Sequence, residues 1–269
     1  MHELKLSPLD KLSTEPLGPK GLHEQVDGDV LLRLMKESSR DFNTYSEAIL
    51  PEKTPISNQG GIGSCVANAM CDGLEILQGI HGDEVQQLSR LSLYYWSRCL
   101  HRGQHQDEGT YIHTAAQQLK TMGVLLEQDW PYIEANVNKG PPNHLIIAAS
   151  DNRLEGAIPL RKRDGVLDEC ESLIRAGCPI LFSTQITRED FQDPSPGKVL
   201  DVPVGAIWGG HAILCTGVRI TLQGARQFLI RNSWGSGWGD NGHIWVTDRY
   251  VDRSVTGFVA LTLTPGLVV

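Results

Sequence analysis

The sequence has no long hydrophobic run and no excess of positive charge. No apolar stretch approaches the roughly 18 residues that a membrane-spanning helix needs. The 24 Lys and Arg residues are outnumbered by 32 Asp and Glu residues, which gives a formal net charge of −8. A chain of this charge lacks the basic footprint that binds phosphate backbones. We therefore expect neither a membrane span nor a nucleic-acid partner.

Cysteine is sparse, and its spacing is irregular. The chain has six cysteines and no Cys-x-x-Cys pair, and its nine histidines are scattered. These features argue against a metal site or a disulfide scaffold, so we expect no metal and no cofactor. Residues 1–21 also lack the apolar stretch of a secretory signal. We favour free thiols and a cytoplasmic location, while secretion and a Cys170–Cys178 bridge stay open.

The composition is that of a folded protein with a distinct N-terminal appendage. With 269 residues, 40% of them hydrophobic and 21% charged, the chain can bury a core as one large domain or two lobes. Residues 1–40 differ from the rest because they begin rich in Pro, Gly and charge. Within them, Asp29–Met35 is predicted to be a short helix capped by Asp29. We treat residues 1–40 as an extension and residues 41–269 as the main body.

Hydrophobic periodicity divides that body into a helical part and a strand-rich part. From Ser64 apolar residues recur three or four apart, which predicts a helix with Cys65 in its first turn and Gly79 just past its end. Further helices are predicted over 85–99, 111–121 and 166–175. Apolar runs between Gly-rich turns predict strands over 178–182, 212–218, 227–230 and 243–247. The class is α+β, with lobes over about 41–145 and 146–269 and a long functional loop over 185–208.

Cys65 is a candidate nucleophile because of its place in the run Gly60-Gly61-Ile62-Gly63-Ser64-Cys65. A thiol attacks a carbonyl as thiolate, and the first turn of a helix stabilises that anion. The preceding glycines allow a tight turn from loop into helix. The same run lacks the Gly-Lys-Ser/Thr ending of a phosphate-binding loop. The alternative interpretation is a small buried hydrophobic residue.

Three other residues would complete the chemistry of a thiol hydrolase. His211 would pair with the thiolate as base and later protonate the leaving amine. Asn232 would accept the other ring N–H of His211 and fix the ring. Gln59 would donate to the developing oxyanion together with the backbone N–H of Cys65. Each alone also fits an ordinary role, as a core histidine, a turn asparagine and a surface glutamine.

Together these motifs resemble the papain family of cysteine peptidases. The resemblance rests on Asn58-Gln59-Gly60-x-x-Gly63-Ser64-Cys65, on Gly210-His211-Ala212 and on the stretch Asn232-Ser233-Trp234-Gly235-x-Gly237-Trp238-Gly239. It spans residue 41 to the C-terminus. It implies a helical lobe and an antiparallel β-barrel-like lobe with the active site in the cleft between them. It also implies that Gln59, Cys65, His211 and Asn232 are the oxyanion donor, nucleophile, base and orienting residue.

The resemblance also indicates a substrate-binding set and shows two departures. The paired glycines that bind the substrate backbone in the family correspond to Gly109 and Thr110, so the second glycine is missing. Ile62 stands where the family has a disulfide cysteine. The full predicted substrate-binding set is Gly109, Thr110, Tyr111, Ile112, Gly210 and Trp234, the last also shielding the Asn–His hydrogen bond from water.

The sequence therefore predicts a cysteine peptidase that acts as a monomer on peptide or protein substrates. Its N-terminal extension is expected to restrain this activity, as in a zymogen. Two alternatives stay open. One is a catalytically silent binding module with the same fold. The other is a thiol acyltransferase, such as a transglutaminase, which could use the same order of Cys, His and third group.

Overall fold

The computed structural model describes residues 5–6 and 46–263. The predicted helix Asp29–Met35 and most of the N-terminal extension lie outside the described residues. Of the extension, the structure describes Lys5 and Leu6.

The four helices predicted in the main body form close to the predicted places, and the described part of the chain adds three shorter ones. The helices are α1 Cys65–His81, α2 Arg90–Cys99, α3 Ile112–Thr121, α4 Ile146–Ala149, α5 Val166–Arg175, α6 Arg188–Phe191 and α7 Asp248–Ser254, with 3₁₀ turns at Glu134–Asn136 and Asn143–Leu145. The placement of Cys65 in the first turn of α1 and both ends of α5 are confirmed.

Two predicted helix ends were wrong, each because a capping residue lies elsewhere. Helix α1 continues past Gly79 to His81, and Gly82 after it has the left-handed backbone (φ 88°) that closes a helix. Helix α2 begins at Arg90 rather than at Val85, because Ser89 caps it by accepting the backbone N–H of Ser92.

The strands of the second half form one open mixed sheet, which one short strand of the first half joins. Its strands are β1 Ser46–Ile49, β2 Gly156–Leu160, β3 Ile180–Thr187, β4 Val199–Leu200, β5 Ile207–Ile220, β6 Arg226–Arg231, β7 His243–Thr247 and β8 Val255–Thr262. The order is β2-β8-β3-β5-β6-β7-β4, and β1 pairs with β5. All pairs are antiparallel except β4 with β7. The expected barrel-like closure of this sheet was wrong, because β2 and β4 stand at opposite ends of the order of the described strands and do not pair with each other.

Helix α1 is buried along most of its length because it lies between the other helices and the sheet. It packs against α2 and α3 on one side and against β5, β3 and β8 on the other. Residues 65–77 are all buried, polar ones included. Gly73 allows this close approach, since a methyl group there would come within 2.4 Å of Leu261 Cδ1. The N-terminus of α1 is thereby held against the sheet that carries His211.

The segment 185–208 is not the long loop that its lack of periodicity predicted. It contains the end of β3, the short helix α6, and β4. Thr187 caps α6 by accepting the backbone N–H of Asp190. Cys170 and Cys178 are free thiols in the structure.

Candidate active site

Backbone hydrogen bonds join the loop before α1 to the turn after β6. They bring the segment around Gln59 next to the segment around Asn232. Gln59 N–H donates to the Ser233 carbonyl at 2.9 Å, and Gly235 N–H donates to the Ser57 carbonyl at 2.9 Å. Asn58 and Trp234 form an isolated β-bridge between them. Residues 174 positions apart in the chain, Gln59 and Ser233, thus lie side by side.

Cys65 is the first residue of α1 and is buried. The residue before it, Ser64, is held by Asn68, whose side-chain amide donates to the Ser64 carbonyl at 3.0 Å and to its hydroxyl at 2.9 Å. Backbone N–H groups at a helix start favour a negative charge. Cys65 therefore has the placement that stabilises a thiolate.

Tyr132 braces the nucleophile loop, as we call residues 57–64 before the candidate nucleophile Cys65. Tyr132 was not among the site residues predicted from the sequence. Its hydroxyl donates to the Gln59 carbonyl at 3.0 Å and lies 2.6 Å from the Ser64 hydroxyl. Burial raises the pKa of Tyr132, so the phenol stays protonated. No sequence motif around Tyr132 indicates this role, because its partners Gln59 and Ser64 lie about 70 positions earlier in the chain.

Gln59 is buried and its side chain is fixed at both ends. Its amide oxygen accepts from the Ser233 hydroxyl at 2.6 Å, and its amide nitrogen donates to the Ile62 carbonyl at 3.0 Å. A primary amide carries two N–H donors. The second N–H of Gln59 is therefore in a defined orientation.

His211 is held by Asn232 in a defined tautomer. Asn232 Oδ1 accepts the Ser233 backbone N–H at 2.9 Å and lies 2.8 Å from His211 Nε2. Because Oδ1 only accepts, Nε2 carries the proton, and in the neutral ring the lone pair is on Nδ1. Nδ1 is buried and has no hydrogen-bond partner among the described residues.

Burial keeps the His211 ring neutral in this structure. It lowers the pKa of His211 to about 4, although the hydrogen bond with Asn232 opposes this change. The ring would therefore be protonated only when negative charge or water reaches it.

An aromatic cluster covers the His211–Asn232 pair. The Trp234 ring lies 4.9 Å from the His211 ring, tilted by 30°, and Phe191 meets His211 edge-on at 6.4 Å. Trp238 donates its indole N–H to the Phe191 carbonyl at 2.7 Å. Trp234 thus lies beside His211, whereas Phe191, in a segment predicted to be a loop, was not among the predicted site residues. The cluster excludes water from the hydrogen bond.

On the helical side, Gly63 and Gly109 are joined through Asp107 and Tyr94. Asp107 Oδ1 accepts the Gly63 N–H at 3.0 Å and the Tyr94 hydroxyl at 2.7 Å. Gly109 N–H donates to Tyr94 at 2.9 Å. Asp107 and Tyr94 were not predicted as site residues.

The other predicted substrate-binding residues differ in exposure. The side chains of Thr110 and Ile112 are buried, and Thr110 bonds Thr114 at 3.2 Å. Tyr111 is partly exposed and stacks on His113. Gly210 is buried on β5 opposite Gln185. Of the side chains predicted on the helical side, Tyr111 is the one that a substrate could touch in this conformation.

A buried ionic cluster ties α1 to the strand that ends at Asn232. Arg231 Nε lies 3.1 Å from Asp72 of α1, and Arg231 also pairs with Glu52. Arg90 pairs with Asp72 at 2.5 Å and with Glu75 at 2.6 Å. Asp72, Arg90 and Arg231 are each at most 4% exposed.

Glu52 is the partly accessible end of this cluster. Burial raises the pKa of Glu52, but the hydrogen bond with His243 and the charge of Arg231 outweigh it and lower the pKa to about 2. The carboxylate is thus charged over the physiological range and keeps Arg231 paired.

Neither a metal cluster nor a membrane span is found in the described part of the chain. Residues 5–6 and 46–263 contain no group of three His, Cys, Asp or Glu side chains that could hold a metal ion. Among the helices of this part, none combines the length and apolar character needed to cross a bilayer.

Comparisons with known proteins agree with this fold. The structure superposes on xylellain, a cysteine protease from Xylella fastidiosa, with a TM-score of 0.72 and 20% identity over 98% of this chain and 96% of that one. A similar protein is an uncharacterized peptidase C1-like protein of Acanthamoeba polyphaga mimivirus, 30% identical over 78% of this chain and 70% of the relative. A cysteine protease of Blomia tropicalis is 25% identical, and the match spans 61% of its length.

The model of the papain family of cysteine proteases matches residues 37–256. The chain therefore belongs to this family, and its fold is the papain-like α+β fold.

The ionic cluster generates a stability prediction. Replacement Asp72→Asn leaves Arg231 and Arg90 each short of one carboxylate, and breaking a buried ion pair costs on the order of 3 kcal/mol. We expect the free energy of unfolding, measured by urea denaturation, to fall by about that amount. The matched control is Asp201→Asn, which breaks an exposed pair with Arg249 and should leave the urea midpoint unchanged. Equal midpoints for the two variants would contradict a structural role for the cluster.

Proposed function

We propose that this chain is a cysteine peptidase in which Cys65, His211 and Asn232 form the catalytic triad and Gln59 donates to the oxyanion. The observation that carries the proposal is the fixed tautomer of His211. Its Nε2 is bonded to Asn232 at 2.8 Å, and its Nδ1 is left with a lone pair on the strand against which α1 packs. That nitrogen is the acceptor that a thiol on the first turn of α1 requires.

The reaction proceeds in two halves. The Cys65 thiol gives its proton to His211 Nδ1, and the thiolate attacks the peptide carbonyl carbon. The C=O electron pair moves to oxygen, where the free N–H of Gln59 and the Cys65 backbone N–H stabilise the charge. The tetrahedral intermediate collapses, the C–N bond breaks, and Nδ1–H protonates the leaving amine. Water then attacks the thioester while Nδ1 takes its proton, and the acid leaves as Cys65 regains its thiol.

The two alternatives are separated by what the site contains. A binding module needs neither a nucleophile at a helix start nor a base of fixed tautomer, so the geometry favours catalysis. An acyltransferase would pass the same thioester to an amine rather than to water. Product analysis with and without an added amine distinguishes the two, because a peptidase releases the free acid in both cases.

We also propose that residues 1–40 restrain a peptidase body over 41–269, acting as a monomer on peptide or protein substrates. In support, Lys5 pairs with Asp107 at 3.2 Å on the helical side. Leu6 packs against Gly209 on β5, where a methyl group would come within 2.8 Å of Leu6 Cδ1. Cys65 and His211 are both 0% exposed, so a substrate reaches them only when the covering groups move.

The nucleophile is tested by thiol labelling and peptide hydrolysis. We expect a peptidyl epoxide to alkylate Cys65 and Cys65→Ser to abolish both labelling and hydrolysis. Cys99 is the control because it is more exposed than Cys65, yet burial still raises the pKa of its thiol. Cys99→Ser should label and cleave as the unmodified chain does. Hydrolysis that persists in Cys65→Ser would remove the proposed nucleophile.

The oxyanion donor is tested at Gln59. We expect Gln59→Ala to lower kcat on the order of 100-fold with little change in KM, since the donor acts on charge that develops in the transition state. Ser233→Ala is the matched variant, because it removes the hydroxyl that orients Gln59 but keeps the donor. Its kcat should fall much less. Equal losses in the two variants would mean that Gln59 acts through packing alone.

The restraint is tested in the full chain with the double variant Lys5→Ala/Leu6→Ala. Full burial of a leucine side chain contributes about 1.5–3 kcal/mol. Leu6 is partly buried, so we expect kcat/KM for a peptide substrate to rise by up to about tenfold. The control Lys139→Ala/Leu222→Ala makes the same changes at exposed positions. A rate equal to that of this control would show that the extension does not restrain the site.

A further inference from the structure

Asp107 is a carboxylate held in a fixed position beside the nucleophile loop. Its Oδ1 accepts from Gly63 N–H and from the Tyr94 hydroxyl, and Gly63 lies two residues before Cys65. Its side chain is 16% exposed. One oxygen is thus engaged in the fold, and Oδ2 is the oxygen that meets Lys5. A carboxylate fixed this way needs no further ordering to accept a cation.

The loop that carries Asp107 is anchored by Arg98, which leaves the carboxylate to other partners. Arg98 is fully buried and donates to the carbonyls of Tyr94, Gln106 and Val137. A further donor reaches the Asn138 side-chain oxygen at 3.0 Å. The hydrogen bonds of this guanidinium are thus made to carbonyl oxygens, while its charge acts on Asp107 through space. Burial raises the pKa of Tyr94, and the charge of Asp107 raises it further, so Tyr94 remains a donor to Oδ1.

A short segment of the chain itself lies across this part of the cleft. Lys5 Nζ is 3.2 Å from Asp107 Oδ2, and the Lys5 side chain remains 45% exposed. The next residue, Leu6, contacts Gly209, two residues before His211. Lys5 and Leu6 therefore reach from the wall beside Cys65 to the wall beside His211. An extended peptide lying along the same line would pass between the loop before Cys65 and the strand that carries His211.

We propose that Asp107 is a specificity-determining residue that selects a lysine or arginine side chain of the peptide substrate, and that Lys5 occupies this position in the structure. The proposal rests on the proposed peptidase function. The basic side chain would enter from solvent, as that of Lys5 does, and make a charge-assisted hydrogen bond to Oδ2. Lysine's alkyl stem would lie along the wall of the cleft while its ammonium reaches the carboxylate.

The test uses the full chain carrying Lys5→Met, which removes the internal competitor and keeps the apolar stem. Neutral fluorogenic peptides receive one lysine at successive positions, each matched by a norleucine peptide. A hydrogen bond to a charged group contributes about 1.5–3 kcal/mol, so we expect lysine at one position to raise kcat/KM at least about tenfold. Adding Asp107→Asn should reduce that preference to within about twofold, whereas Glu108→Gln, an exposed neighbour, should leave it intact.

Two further measurements decide the proposal without relying on one variant. Acetylation of the preferred lysine removes its charge without changing the protein, and it should cost the same factor in kcat/KM. Binding of the lysine and norleucine peptides to Lys5→Met/Cys65→Ser, measured by fluorescence anisotropy, should show the same preference. A lysine preference that survives Asp107→Asn, or no preference in both hydrolysis and binding, would overturn the proposal. Absence of hydrolysis with the binding preference intact would instead overturn the peptidase function.

Discussion

The active site depends on one short stretch of backbone pairing. Gln59 and Gly235 donate to carbonyls of Ser233 and Ser57, which clamps the loop before α1 to the turn after β6. This contact orients Gln59, whose amide oxygen is held by Ser233, and it sets the loop before Cys65 beside the turn that presents Asn232. A shift of this pairing by one residue would change the position of Cys65 relative to Asn232.

The clamp is reinforced by buried charge. Arg231, the residue before Asn232, pairs with Asp72 on the helix that begins with Cys65. Burying these ions costs desolvation energy that their attraction must offset. An apolar contact could bury the same volume, but it would tolerate sliding between helix and strand. Ion pairs with fixed hydrogen bonds set the position of β6 relative to α1, and with it the position of Asn232 relative to Cys65.

The same cleft unites the proposed catalysis, restraint and specificity. Asp107 bonds Gly63 beside the nucleophile and also meets Lys5. A segment that restrains the enzyme by occupying the substrate path must satisfy the groups that would bind a substrate. If residues 5–6 act in this way, their side chains indicate which substrate groups the proposed site would bind. These are a cation at Asp107 and an apolar group at Gly209. His211 stays neutral in this structure because burial disfavours its charged form.

Much of the fold and of the candidate site could be predicted from local patterns. The place of Cys65 in the first turn of α1, the bounds of α5 and those of β7 follow from periodicity and turn signals, because these depend on neighbours along the chain. The four candidate catalytic residues also stand in short motifs. The predictions of sheet closure and of a long loop were wrong, because pairing with residues far along the chain decides both features. The sheet is open rather than barrel-like, and the segment 185–208 contains a helix and a strand.

By itself, the sequence determined which chemical groups are available: a thiol at a helix start, an imidazole in an apolar strand, and an amide to orient it. The tertiary structure decided what those groups can do. It set the tautomer of His211, placed Tyr132 under the nucleophile loop and Asp107 beside it, and paired Asp72 with Arg231 across 159 positions of chain. These contacts join residues far apart in sequence, and no local pattern encodes a distance between them.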